Sequence, residues 1–191
     1  MKTSRSTESF MDKPRQGFTL IEMLVVIAIL GILMAMMIPA AGLVVRRTKL
    51  ASARSDAGVV AATLLKYRME YNRWPSLPPV DPNTYATDKD WVDVMCPAPG
   101  STRTTNNFNM VLFFEPGGGA IAKDGEFAGA FVDPWGKPYR YRVDIDGNEE
   151  IPNPDPDNTE PIRGSVIAWS AGMDGDYNTF PANEKVESWD R

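Results

Sequence analysis

The chain has 191 residues, with 25 acids against 20 bases and a net charge of −5, a balance that argues against nucleic-acid binding as its main task. It holds one cysteine and no histidine, so an internal disulfide is excluded and the commonest general base and zinc ligand are missing. No nucleophile–base constellation, phosphate loop or zinc motif takes their place, and the sequence reads as that of a non-enzyme without internal repeats.

Residues 1–17 form a polar leader in which Lys2, Arg5, Lys13 and Arg15 outnumber Glu8 and Asp12. An apolar run follows. It carries a single acid, Glu22, near its head, and residues 23–45 contain no charge. A spanning helix needs ~20 predominantly apolar residues, so residues 18–45 are predicted to cross a lipid bilayer. A carboxylate inside such a span is costly and calls for a partner. No base lies within a turn or two on its C-terminal side. A cut after Gly17 would create an α-amine on Phe18, one turn from Glu22. That pair can form within one chain or between neighbours, and the second arrangement sets the register of packed helices.

The segment Gly17-Phe18-Thr19-Leu20-Ile21-Glu22 resembles the prepilin leader-peptidase site of the type IV pilin and type II secretion pseudopilin family. The resemblance implies cleavage between Gly17 and Phe18 by a prepilin peptidase on the cytoplasmic face, and N-methylation of Phe18. It also implies extraction into a filament whose core is the packed N-terminal helices. Gly31 and Pro39 fall where the family commonly has a glycine and a proline. An ordinary secretory signal is the first alternative, with an apolar core of ~7–15 residues and residues 39–42 as its cleavage site. A plain signal anchor is the second. The embedded Glu22 and the long leader argue against the secretory signal. Arg46, Arg47 and Lys49 follow the span closely, so the charge rule leaves orientation open, and leader-inside rests on the resemblance.

No strong break appears before Trp74-Pro75, so one helix is predicted from residue 18 to residue 73, about 84 Å at 1.5 Å per residue. Since a bilayer core takes only ~30 Å, residues 46–74 must project from it. Leu50, Ala53, Ala57, Val60, Leu64, Tyr67 and Tyr71 recur at alternating steps of three and four, an apolar stripe on one face. Pro39, with Gly42 close behind, predicts a kink or local melting within the helix.

Residues 75–191 form the globular part. Prolines punctuate residues 75–107, with a short helix expected at 88–95, where Trp91 and Met95 share a face. Cys96 closes it and is read as a partly buried thiol. Strands are predicted at 109–115, 127–132, 139–145 and 166–169. Residues 146–163, rich in proline and acid, are expected to be an exposed loop or lid with no core of its own. Asp133-Pro134-Trp135-Gly136 reads as a turn, with φ preset by Pro134, strain relieved at Gly136 and Trp135 tucked beneath. The fold class is α+β: a long N-terminal α-helix, part membrane-spanning and part amphipathic, packed on a small antiparallel β-sheet in a pilin-like way.

Three further segments, 66–75, 133–139 and 165–176, are similar to the corresponding segments of the family's major pseudopilins of the protein G type. In the terminal loop Asp174, Asp176 and Asn178 put oxygens at alternate positions around Gly175, and Asn183 and Glu184 stand on the other arm. Hard cations take six to eight such oxygens, and the resemblance implies structural calcium here. The place where the family usually has paired acids reads Glu184-Lys185. The resemblance also implies the partners: copies of itself, other pseudopilins, an inner-membrane assembly platform and the bilayer. It implies a single pass through a bacterial inner membrane, with the globular domain in the periplasm before assembly. The favoured role is a structural subunit of a type II secretion pseudopilus that supports export of folded proteins. A type IV pilin for adhesion, motility or DNA uptake is the runner-up, and a membrane-anchored periplasmic binding module comes third.

Overall fold

A computed structural model describes residues 17–178 and 186–189, with residues 36–41 described for the backbone alone. Its contacts divide into two units, Met1–Val44 and Val45–Arg191, and the first helix, α1 (Leu20–Tyr71), runs through both.

In the first unit every large apolar side chain between Phe18 and Met34 is exposed, from 47% for Val26 to 83% for Leu20. The backbone is helical through residues 39 and 42. The side chain of Pro39 lies outside the described residues. On the described residues alone, which omit the side chains in the middle of the uncharged run, no helix is long and apolar enough to cross a membrane.

The second half of α1 follows the stripe. Ala53, Ala57, Val60, Leu64 and Tyr67 are fully buried, and Leu50 and Tyr71 pack against them. The helix stops at Tyr71, slightly before the expected end, because Asn72 turns left-handed (φ 52°). Its N–H closes onto the Arg68 carbonyl at 2.8 Å, the single-bond αL cap that asparagine can adopt when glycine is absent.

The stripe lies on a three-stranded antiparallel sheet in the order β1 (Tyr85–Ala86), β2 (Arg140–Val143), β5 (Val166–Trp169). Alternation along β2 sends Tyr141 and Val143 to the helix side and leaves Arg140 and Arg142 on the back. The short helix α2 (Lys89–Met95) forms as expected. Asp88 caps it by accepting from the Trp91 N–H at 2.9 Å, and Trp91, Val94 and Met95 are buried.

Two expected strands are not strands. Residues 109–115 and 127–132 are irregular; the second segment makes isolated bridges, Ile121 to Phe131 and Val132 to Pro138. Phe113 and Phe114 are adjacent and both buried, but their backbone pairs with no neighbouring strand. Their N–H groups instead converge on the Met95 carbonyl at 2.9 and 3.1 Å.

The acidic segment 146–163 is also more ordered than expected. It holds a small antiparallel hairpin, β3 (Glu150–Ile151) with β4 (Ile162–Arg163). Ile151 is fully buried against Ile167 and Trp169, with Ile162, Tyr177 and Trp189 around them. The segment therefore contributes to a second core, on the back of the sheet. Asp144 anchors its start by accepting the N–H groups of Gly147 (2.8 Å), Asn148 (3.2 Å) and Glu149 (3.1 Å).

Candidate functional site

The head of α1 is built by a reciprocal cap. Thr19 precedes the helix, and its backbone N–H and hydroxyl both donate to Glu22 Oε2 at 2.7 Å. The Glu22 N–H returns to Thr19 Oγ1 at 3.3 Å. This is the Thr-x-x-Glu capping box, which satisfies otherwise orphaned donors at a helix start. In the uncut chain Glu22 therefore has a local partner in Thr19, and the sequence pattern before an apolar run was the signal for it. Gly17 and Phe18 lie in the non-helical segment just ahead, both exposed, with Phe18 at 75%. A β-carbon built on Gly17 would meet nothing within 4 Å. Packing within the chain does not demand glycine at that position, and the peptide bond that follows it stands open to a protease.

The base of the terminal loop is tied to the turn at residues 133–137. Asp133 is buried, and its Oδ1 accepts the N–H groups of Trp135 and Lys137, both at 2.9 Å. Its Oδ2 accepts from the Ser170 hydroxyl, and Ser170 Oγ in turn accepts the Gly172 N–H at 2.9 Å. Burial pushes the Asp133 carboxyl above its usual range, against the opposing hydrogen bonds, of which that from Ser170 is the largest. Gly136 (φ 87°) and Gly175 (φ 73°) take the left-handed conformations these two turns need.

Beyond Ser170 the loop exposes Asp174, Asp176 and Asn178. Asp174 Oδ1 accepts the Asp176 N–H at 3.2 Å, and Asp176 Oδ1 accepts the Asn178 N–H at 2.9 Å. The side chains thus wind a tight turn, with an oxygen of Asp174 and one of Asp176 turned onto the loop's own backbone. Tyr177 between them is half-buried, with its hydroxyl on the Pro138 carbonyl at 2.5 Å. Burial raises its phenol to about 12. The oxygens are the hard donors calcium takes, but two carboxylates and an amide fall short of a full shell. Among the described residues no group of three or more carboxylate, thiol or imidazole side chains is placed to hold a metal ion. Asn183 and Glu184 lie outside the described residues.

The family described as the prokaryotic N-terminal methylation motif matches residues 12–38, which contain this helix head. The type II secretion system core protein G of Pseudomonas aeruginosa is 30% identical over 178 residues, covering 93% of this chain and 97% of that protein. This chain belongs to the core protein G family. No solved structure gives a significant match.

In this pseudopilin the resemblance seen at residues 17–22 coincides with the matched motif, and the wider resemblance agrees with a relative that spans nearly the whole chain. Sequence reasoning missed Thr19 as the partner of Glu22 and Ser170 as the partner of Asp133. The first could have been found from its spacing; the second joins residues far apart in sequence and carried no local signal. Cys96 is half-buried, as expected, and desolvation raises its thiol, with Glu115 adding to the effect. That suits an unreactive cysteine.

Proposed function

We propose that this pseudopilin is a structural subunit of a type II secretion pseudopilus, without catalytic activity, and that it supports export of folded proteins. The observation that carries the reading is the head of α1: an exposed Gly17–Phe18 bond, a capped Glu22, and an unbroken helix of apolar side chains that the chain itself leaves unburied. Such a surface needs lipid before assembly and neighbouring helices after it. The protein is membrane-anchored and periplasmic. In the finer reading, residues 18–45 cross the inner membrane once, with residues 75–191 outside it. A prepilin peptidase removes residues 1–17, Phe18 is N-methylated, and its amine joins Thr19 in serving Glu22 of the same chain or a neighbour. Copies of this chain, other pseudopilins and an inner-membrane assembly platform are its partners. Calcium, held by Asp174, Asp176 and Asn178 with Asn183 and Glu184, orders the terminal loop.

The reading is tested by comparing the extracellular proteome of a strain lacking the chain with that of the same strain after its restoration. Loss of specific folded proteins from the medium, with their accumulation in the periplasm, is expected. An unchanged medium with loss of surface fibres or DNA uptake would replace secretion by a pilus role. Glu22→Ala is expected to leave leader removal intact and to abolish filament assembly; a plain membrane anchor would tolerate the change. For calcium, a thermal melt of the full chain in detergent should shift upward with the ion relative to chelator, by about 2.7 kcal/mol at a hundredfold excess over the dissociation constant. Coincident melts would exclude the site.

A further inference from the structure

Where α1 ends, the helix side of the sheet holds a groove of about 390 Å³, whose lining includes Arg68, Arg73, Trp74, Tyr85, Tyr141 and Asp144. Asn72 turns the chain left-handed after the last helical turn, and Trp74 pins the returning segment by donating its Nε1–H to the Asp144 carbonyl at 2.7 Å. Tyr85 and Tyr141 are partners in the register of β1 and β2, and their rings stack with centroids 5.4 Å apart. The wall is therefore aromatic, and the charge is positive. Asp144 is 3% exposed, and its carboxylate is taken up by the hairpin amides. The Arg68 guanidinium lies over the Trp74 ring, 4.7 Å from its centroid. That contact uses the charge and gives the N–H groups no oxygen acceptor. Arg73 uses one nitrogen on the Thr105 carbonyl at 2.6 Å. Among the described residues neither arginine forms an ion pair.

The same chain carries the complement of this groove. The exposed tip of the hairpin reads Pro156-Asp157-Asn158-Thr159-Glu160-Pro161, and no base lies between residues 147 and 162. Proline-rich segments suit aromatic-lined grooves because they are already extended and stiff, and carboxylates pair with guanidinium forks. The tip and the groove of one chain lie on opposite faces of the sheet. Ile151 packs on Ile167 and Trp169 behind it, where Arg142 holds the Pro152 and Asn153 carbonyls, whereas the groove opens on the helix side. We propose that the groove receives the hairpin tip of a second copy of this chain, with Asp157 and Glu160 on Arg68 and Arg73 and the flanking prolines against the aromatic wall. Because the two surfaces differ, the contact is head-to-tail and repeats from copy to copy. The inference rests on the reading of this chain as a filament subunit, and adds to the packed helices a contact between globular parts.

The first arm of the test needs no filament. The full chain in detergent micelles, labelled with ¹⁵N in its tryptophans, is titrated with a synthetic peptide of residues 153–162 at constant ionic strength. The Trp74 indole resonance, identified by its loss in Trp74→Phe, should move saturably, while that of Trp169, behind the sheet, should stay still. The half-saturating concentration should rise about tenfold with Arg68→Gln. It should rise as much with a peptide carrying Asp157→Asn and Glu160→Gln, a control that leaves the protein unchanged. A static Trp74 resonance, or a neutralised peptide that binds as well as the native one, would overturn the groove. The second arm reads filament yield. Reversing the groove (Arg68→Glu with Arg73→Glu) or the tip (Asp157→Lys with Glu160→Lys) should lower it severalfold, and all four changes in one chain should restore it. Yields that ignore the reversals, or a loss that the combination does not restore, would overturn the second copy as occupant; if the peptide still binds, the groove takes an acidic, proline-rich segment of another protein. Glu22→Ala separates this result from the assembly reading. A native chain that forms no filament, or a Glu22→Ala chain that forms it equally well, counts against that reading and leaves the peptide titration to decide the groove.

Discussion

The two faces of the sheet are stabilised in different ways. The helix face is a continuous apolar layer in which α1, α2 and the sheet interlock around fully buried Leu64, Tyr67, Trp91 and Tyr139. The back face has Ile151, Ile167 and Trp169 at its centre and depends on polar fasteners: Arg142 on the hairpin carbonyls and Asp144 on the hairpin amides. The helix face should therefore open only with the whole domain, whereas the hairpin can open by itself.

The comparison breaks most severely at Asn107, which is buried on the helix side. Its Oδ1 accepts from the Tyr71 hydroxyl at 2.7 Å and the Val111 N–H at 2.9 Å. Its Nδ2 donates to the carbonyls of Val94 at 2.7 Å and Val111 at 2.8 Å. One side chain thus joins the end of α1, α2 and the irregular segment that replaces the expected strand. Asn107→Ala leaves several buried groups unpaired at about 1–3 kcal/mol each, so a loss of about 4 kcal/mol is expected. Denaturant unfolding of the domain would measure it. A loss below about 1 kcal/mol would mean that water replaces the amide.

Leu64→Ala and Ile151→Ala sharpen the contrast directly, because both side chains are fully buried. Leu64→Ala should cost about 3 kcal/mol, as large-to-small changes in a tight core do. Ile151→Ala should cost less, about 1–2 kcal/mol, since local opening of the hairpin caps the penalty. Hydrogen exchange separates the two. The first variant should speed exchange throughout β2 and β5, and the second mainly at β3 and β4. Equal losses with equal exchange patterns would make the two faces one cooperative unit.

What the sequence made legible follows the same division. The stripe on α1 was readable because a helix repeats its face, and the residues from Leu50 to Tyr71 that recur in steps of three and four are those that pack into the core. β5 was readable as a short apolar run, and the helix head as a motif. Residues 109–115 looked like a strand because composition says that Phe113 and Phe114 are buried, not what their backbone pairs with. The back core was illegible for a different reason. It joins Ile151, in a segment dominated by acid and proline, to Trp169 and Trp189, and two-residue strands carry no period. The pairing on the back of the sheet was hidden likewise, since Arg140 and Arg142 read as the solvent side of a half-buried strand until the register set Arg140 beside Trp169.

The smallest effect expected is a pH dependence at the junction of the turn and the terminal loop. Burial raises the Asp133 carboxyl above its reference value of 3.8. An acid with a raised folded pKa binds more protons when folded, so its contribution to stability falls as pH rises from the unfolded to the folded pKa. Asp133→Asn keeps an oxygen for the Trp135 and Lys137 N–H groups and an amide that can donate to Ser170, but does not titrate. Asp56 and Asp88 are also raised by burial, so the native chain alone does not report Asp133; the difference between the native chain and the variant does. Melts across this acid range should find the variant gaining on the native chain as pH rises, by no more than the about 1.4 kcal/mol per pH unit that one proton allows. A gain in the opposite direction would mean that the hydrogen bonds from Ser170 and the turn outweigh burial, so that Asp133 fastens the loop chiefly as a charge.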